Sequence, residues 1–397
     1  MKKKILILTF TDLTSDARIQ RQIKALGNEF ELIVCAKKAD KEYKDFIPSV
    51  DFRTNYFSLL VLTRLILVPV VWLIRVWGWE RFDNEFVNWL RYWSVKRIAL
   101  YNKLKKNHFD LVIANDLDTL PIAVLLKNRK KIPLIFDAHE YYPKQHNQNE
   151  DWVLKEQPFI NHLCYKYLKE ANTIFTVSQG LINEYKKTFN VSALLLSNAH
   201  SFMPILTPSS VQKENIKIVH MGGAIRGRKI ERMIEVARLL AENYTFDFYL
   251  IPVQHSYYEE LKFEASKLNN VRILPPLKLN ELVYKLNEYD IGVYILEPNS
   301  FNNKHALPNK LFEFIQARLA IAIGPSPEMK SIVEKYNIGV VSDDFTPESL
   351  AKAIKRVTIQ ELIEYKKNTE RAAKELNAEK NAEVLINEVQ KLLKNNA

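Results

Sequence analysis

Four short stretches of this sequence gather residue types that can bind or move charge. The first is His220-Met221-Gly222-Gly223-Ala224-Ile225-Arg226-Gly227-Arg228-Lys229, with three glycines in six positions of a chain that has only 9 in 397 residues. It follows an apolar run of strand character and precedes a helical pattern. Glycines let backbone N–H groups approach a phosphate, a helix N-terminus adds partial positive charge, and arginines add full charge. Gly222, Gly223, Arg226 and Arg228 are therefore candidate anion ligands. The spacing is neither G-x-x-x-x-G-K-[ST] nor G-x-G-x-x-G. The plainer alternative is a tight strand–helix turn with solvated cations.

The second stretch is His305-Ala306-Leu307-Pro308-Asn309-Lys310-Leu311-Phe312-Glu313. Pro308 suits the first turn of a helix. Lys310 then sits where its charge opposes the helix dipole, which points to a bound anion. Glu313, three residues on, shares its face and could accept hydrogen bonds from ribose hydroxyls beside a phosphate. The alternative is an exposed Lys–Glu pair worth about 0.3 kcal/mol. The third stretch, Phe136-Asp137-Ala138-His139-Glu140-Tyr141-Tyr142-Pro143, sets an acid, a histidine and another acid at a strand tip. These could position a sugar hydroxyl or a phosphate, or be structural. The fourth, TDLTSDAR over 11–18, offers Ser15 or Asp16 as a helix cap; Asp16 and Arg18 could instead reach an acceptor.

Asp116-Leu117-Asp118 has the D-x-D spacing of a metal pair but reads as a cap and turn. No His/Cys cluster has zinc spacing and no serine sits in a nucleophile elbow, so no metal and no cofactor are expected.

These stretches must be held by strands and helices. Short apolar runs recur at 5–10, 31–36, 110–114, 133–137, 173–177 and 193–197. A second set lies at 217–221, 246–251, 271–274, 291–295, 320–323 and 339–341. Near-continuous apolar character marks strands buried on both faces of a parallel sheet. Helical patterns lie between them, as at 229–241, 308–317 and 347–357. Two sets of six strands interleaved with helices predict two doubly wound α/β domains. The expected domains are 1–199 and 216–375, with a Pro- and Ser-containing linker at 200–215 and a helical tail at 376–397. In open parallel sheets ligands lie beyond the carboxyl ends of strands, where all four stretches fall.

The chain is 47% hydrophobic and 26% charged, which excludes a disordered or fibrous protein. Cys35 and Cys164 are too few for a disulfide scaffold and suit a reducing compartment. Lys2–Lys4 and the short apolar run after them imitate a signal peptide, yet polar Thr9, Thr11 and Asp12 follow; a first strand fits better. A net charge of +11 favours an anionic partner. Five of the six tryptophans (Trp72, Trp77, Trp79, Trp89 and Trp93) fall in an apolar insertion at 57–107 with interleaved arginines. Arg64, Pro69 and Arg75 interrupt any membrane span. Aromatic and cationic side chains together suit the surface of an anionic membrane, while packing on the domain is the alternative. No nucleic-acid motif is present.

Together the D-x-R loop with Asp16 and Arg18, the FDAHEYYP stretch, the GGAIRGR loop and LPNKLFEFIQARLAIAI resemble retaining glycosyltransferase family 4 over nearly the whole chain. The resemblance implies the GT-B fold of two facing Rossmann-like domains with a cleft between them. It implies Arg228 and Lys310 on the diphosphate of a UDP- or GDP-sugar, Glu313 on the ribose, and His305, Leu307 and Asn309 beside them. It also implies the loop near Leu277 at the base, His139 at the transferring sugar or β-phosphate, and a last helix crossing back to the first domain. Asp16, Arg18, Asp137 and Glu140 are then expected at a saccharide or lipid-linked acceptor. His305 departs from the family, which usually has a glutamate eight positions before the second one, here Glu313. The expected activity is hexosyl or N-acetylhexosaminyl transfer with retention, metal-independent, in surface glycan synthesis at the cytoplasmic face of the membrane. The rivals are a sugar-nucleotide epimerase of the same fold and a basic, non-catalytic membrane-binding protein.

Overall fold

The computed structural model describes residues 2–14, 16–38, 45–49 and 85–396. The chain divides into two units. The first comprises Met1–Leu196, Ser300–Asn302 and Ala382–Ala397, and the second Ser197–Asn299 and Asn303–Asn381.

The first unit is built on β1 (Lys4–Leu8), β2 (Glu31–Ala36), β3 (Phe46–Pro48), β4 (Leu111–Asn115), β5 (Leu134–Ala138), β6 (Thr173–Thr176) and β7 (Ala193–Leu195), in the order β3-β2-β1-β4-β5-β6-β7. Every pair is parallel. Side chains alternate across a strand, so one sheet feeds two cores. Leu6, Leu8, Val112, Ala114 and Phe136 enter one of them. Ile5, Ile7, Ile113 and Ile135 enter the other, together with Ile19 and Leu26 of the helix Ala17–Gly27. That second core also takes Leu385, Val389, Leu392 and Leu393 from the helix Ala378–Asn395. Each such side chain stabilises the fold by about 1.5–3 kcal/mol through burial.

The second unit repeats the plan with β8 (Ile216–Gly223), β9 (Tyr244–Ile251), β10 (Val271–Leu274), β11 (Ile291–Tyr294), β12 (Ala320–Ile323) and β13 (Gly339–Val341). Their order is β10-β9-β8-β11-β12-β13, again all parallel. Both sheets are doubly wound and Rossmann-like, reversing direction between the first and fourth strands. All twelve expected strands are present, and β3 is additional. β8 runs on through Gly222 and Gly223, which pair with Leu250 and Ile251; backbone pairing continues where side-chain patterning stops. Residues 200–215 belong to the second unit, where Gln316 accepts from Met203 N and Arg318 donates to Met203 O. Of the 57–107 insertion, residues 57–84 lie outside the described residues, including Trp72, Trp77 and Trp79. The rest forms the helices Glu85–Tyr92 and Val95–Leu104.

A buried ion pair fixes the helix Ile359–Glu375 beneath the second sheet. Lys366 Nζ donates to Asp290 Oδ1 at 2.9 Å, to Ser209 Oγ at 2.8 Å and to the Tyr289 carbonyl at 3.1 Å. Asp290 Oδ2 accepts from Lys217 N. Removing one partner of such a pair leaves a buried, uncompensated charge. Lys366→Met is expected to destabilise the second unit by about 3–5 kcal/mol in urea unfolding. A loss below about 0.5 kcal/mol, the size of an ordinary surface change, contradicts this account.

Candidate functional site

In the second unit the charged residues converge at the end of β8. Gly222 has φ 139°, open to glycine and strained for other residues. A Cβ there would lie 3.3 Å from Lys310 Nζ and 3.6 Å from Arg228 Nη1, so both cations approach the same point of backbone. Gly223 is tighter still, with Val253 at 3.0 Å from such an atom. Arg228 ends a short turn at Arg226–Arg228, and Lys229 follows in left-handed conformation. Pro308 stands one residue outside the helix Asn309–Gln316, as its N-cap, and Lys310 lies in the first turn.

Lys310 is buried, with Nζ 3.7 Å from the centre of the Tyr294 ring. Burial pushes its pKa well down, Arg228 adds to this, and Glu313 opposes both. Neither Lys310 nor the Arg228 guanidinium makes an ion pair or hydrogen bond with any described residue. His220 beneath them is held neutral, first by burial and then by the Lys310 charge. Its Nδ1 faces the Val293 carbonyl at 3.0 Å, so Nδ1 carries the proton.

The other expected donor residues separate. Arg226 is exposed and grips Glu260 through both carboxylate oxygens. Leu307 is packed in the core of the unit, Asn309 is exposed, and Leu277 is half-buried on the loop after β10. Glu313 is buried beside Lys310. His305 Nδ1 lies 3.0 Å from Glu328 Oε1, a partner no sequence spacing announced.

In the first unit the acceptor candidates bind one another. Asp16 caps the helix Ala17–Gly27, accepting from Ile19 N at 3.1 Å and from Thr11 Oγ1 at 2.8 Å. Arg18 forks onto Asp137, Nε to Oδ2 at 2.9 Å and Nη2 to Oδ1 at 2.5 Å, and also donates to the Leu196 carbonyl. Asp137 is fully buried. Burial alone would raise its pKa, but Arg18 and then His139 hold it well below the usual carboxylate range. In this arrangement Arg18 and Asp137 form an internal strut at the tip of β5.

His139 sits between two carboxylates. Asp116 Oδ1 is 3.3 Å from Nδ1, and Asp137 Oδ2 is 3.6 Å from Nε2. Burial disfavours its charge, yet Asp116 and Asp137 together raise its pKa. Glu140 is half-buried, accepting from Gln145 Nε2 at 2.5 Å and from Asn302 Nδ2 at 3.0 Å. Burial and the Asp116 charge push its pKa up to about 7. Asp116 was the member hidden in the sequence. It follows β4 with φ 66°, and its side chain makes no cap. The other half of the D-x-D, Asp118, pairs instead with Arg97.

The Glycosyltransferase Family 4 model matches residues 18–195. No curated protein sequence matches the chain. Sucrose-phosphate synthase from Thermosynechococcus elongatus is similar in structure, with a TM-score of 0.72 and 11% identity over 99% of this chain and 100% of that one. A glycosyltransferase from Rickettsia africae has a TM-score of 0.69 and 13% identity over 99% of each chain. Anabaena HepE in complex with UDP-glucose has a TM-score of 0.68 and 12% identity, covering 98% of this chain and 99% of that one. At such identities the likeness is one of fold: two Rossmann-like parallel-sheet units, the GT-B type.

The Glu140 carboxyl yields a prediction about stability. A folded pKa raised from 4.5 to about 7 favours the protonated form. Its contribution is complete below the unfolded value and is lost as pH rises through the folded one. Between pH 4.5 and 7 the wild type is therefore expected to lose stability that Glu140→Gln keeps, so the variant gains on wild type from pH 5 to pH 8 in urea midpoints. Parallel pH profiles for the two proteins would remove Glu140 as the cause.

Proposed function

Because residues 18–195 match the Glycosyltransferase Family 4 model, we propose that this chain is a retaining glycosyltransferase. It moves a hexose or N-acetylhexosamine from a UDP- or GDP-sugar to a saccharide or lipid-linked acceptor in surface glycan synthesis. The observation that carries the reading is the pair of cations at Gly222, Arg228 and Lys310, neither of them paired with a described carboxylate. A diphosphate placed there meets both at once. Negative charge grows on it as the glycosidic bond breaks, and preorganised cations stabilise that charge where it develops. Glu313 takes the ribose hydroxyls, and the loop near Leu277 takes the base. His139 and Glu140 serve the sugar and acceptor. The acceptor hydroxyl attacks from the face the diphosphate leaves, and the diphosphate takes its proton, so the configuration is retained without a metal. Anabaena HepE has been solved with UDP and with UDP-glucose, which supports a nucleotide-sugar donor here.

The segment 57–107, of which 57–84 lie outside the described residues, is proposed for peripheral contact with an anionic membrane on the cytoplasmic side. No helix among the described residues is long and apolar enough to cross one. Phe86 and Trp89 are exposed on the helix Glu85–Tyr92, while Arg91 turns away to Glu156 and the Phe159 ring. Exposed aromatic side chains suit a lipid interface.

Two experiments test these readings. In EDTA, one of UDP, GDP, ADP or CMP is expected to raise the melting temperature of wild type and not of Lys310→Ala; at 100 times Kd the ligand adds about 2.7 kcal/mol. The same variant is expected to lose about 10²-fold in kcat/KM, with a glycoside as product where an epimerase yields an isomer of its donor. No shift with any of the four ends the donor-site reading. For the membrane, the chain is expected to sediment with phosphatidylglycerol vesicles and not with phosphatidylcholine vesicles, and to sediment less after Trp72, Trp77 and Trp79 are replaced by alanine. Equal recovery in the supernatant with and without vesicles sinks the assignment.

A further inference from the structure

One side chain of the first unit lies in the site without an expected role. Asp116 has φ 66° and ψ 151°, backbone that glycine adopts freely and other residues adopt only under constraint. Its Oδ1 accepts from the Tyr142 hydroxyl at 2.8 Å and lies 3.3 Å from His139 Nδ1. The Tyr142 oxygen in turn accepts from His139 N at 3.3 Å. On the far side of the imidazole, Nε2 is buried without a hydrogen-bond partner, 3.6 Å from Asp137 Oδ2. A neutral imidazole has one N–H and one lone pair, and an ionised carboxylate only accepts. Whichever tautomer formed, a lone pair would face a carboxylate oxygen. Only the imidazolium offers an N–H to both sides.

We propose that Asp116 is a positioning residue for His139: seated by Tyr142, it draws Nδ1 toward itself and, with Asp137 at Nε2, keeps His139 a fixed imidazolium in the site. The inference rests on the proposed transferase reading for the use of His139, not for its charge. The charged and titratable groups around the ring come from every neighbouring element. Asp116 follows β4, Asp137 lies on β5, Arg18 on the helix Ala17–Gly27, and Glu140 and Tyr142 on the loop after β5. Arg18 opposes the imidazolium, but it is itself bonded twice to Asp137. Glu140 adds an acid whose charge appears only near neutral pH. The balance favours the cation, and the raised pKa of His139 agrees with it. A fixed imidazolium cannot remove a proton from an acceptor hydroxyl. Its chemistry is to hold negative charge, that of a phosphate above all.

The test is the protonation state of that ring. In 15N-labelled protein, His139 is identified among the 8 histidines by the signals lost in His139→Gln. Both ring nitrogens are expected to be protonated at pH 6.5, with titration above the ordinary histidine value. Asp116→Asn is expected to lower that titration by a unit or more, a tenfold loss of proton affinity. Asp116→Gly is expected to lower it equally while raising the melting temperature, because glycine fits the backbone; Tyr142→Phe gives a partial shift through Asp116. In the transfer assay Asp116→Asn lowers kcat about tenfold with donor KM unchanged and moves the alkaline limb of the pH profile downward. A wild-type His139 that titrates near 6.5, or one that titrates alike in wild type and in both Asp116 variants, overturns the proposal. If the spectra behave as expected and no transfer is found, the transferase reading falls and the role of Asp116 stands.

Discussion

Before a strand in a parallel sheet can pair beside its predecessor, the chain must travel back to the end where the predecessor began. It returns through a crossover, and the crossovers cover both faces of the sheet. Every strand therefore delivers its carboxyl end to the same edge. In the first unit the edge of its own sheet receives the loops after β1, β4 and β5; in the second unit the edge of its sheet receives those after β8, β11 and β12. Most of the charged residues described above lie at the ends of these strands, on these loops or in the turns after them. The apolar filling of each sheet and the polar clusters at its edge are two results of one pairing rule.

The second unit treats buried charge in two opposite ways. Under the second sheet, Lys366 meets Asp290 and is fully bonded. At its carboxyl edge, Lys310 meets an aromatic face and the nearby charge of Arg228. The first arrangement is structural; the second is unfavourable by itself and becomes favourable when an anion arrives. In the first unit the charges alternate instead, from Arg18 to Asp137 to His139 to Asp116. That series holds a geometry that no one member could hold alone.

The strands were legible because burial on both faces leaves an apolar run with no polar alternation. β3 was not. It is a three-residue edge strand containing Pro48, with too short a run to register. That Arg228 and Lys310 lie close to Gly222 is what their places after a strand suggest, and the structure brings those two cations together there. Asp16, Arg18 and Asp137 were placed at the right edge, but spacing does not reveal that a guanidinium and a carboxylate 119 residues apart are bonded. Asp116 was read as a cap because aspartate at a strand end usually caps. What separates the two cases is a positive φ, which leaves no mark on the residue sequence when glycine is not used. The link between His305 and Glu328 escaped for the same reason as the first: their two loops meet only once β11 and β12 are paired.

The helix Ala378–Asn395 has a consequence for synthesis. Leu385, Val389, Leu392 and Leu393 share a core with Ile5, Ile7 and Ile19, which lie more than 360 residues earlier in the chain. At about 5–20 residues per second, the two groups leave the ribosome on the order of half a minute apart. During that interval the core on this face of the first sheet lacks those four side chains. Completion of the first unit's core therefore waits on a helix that lies beyond most of the second unit in sequence.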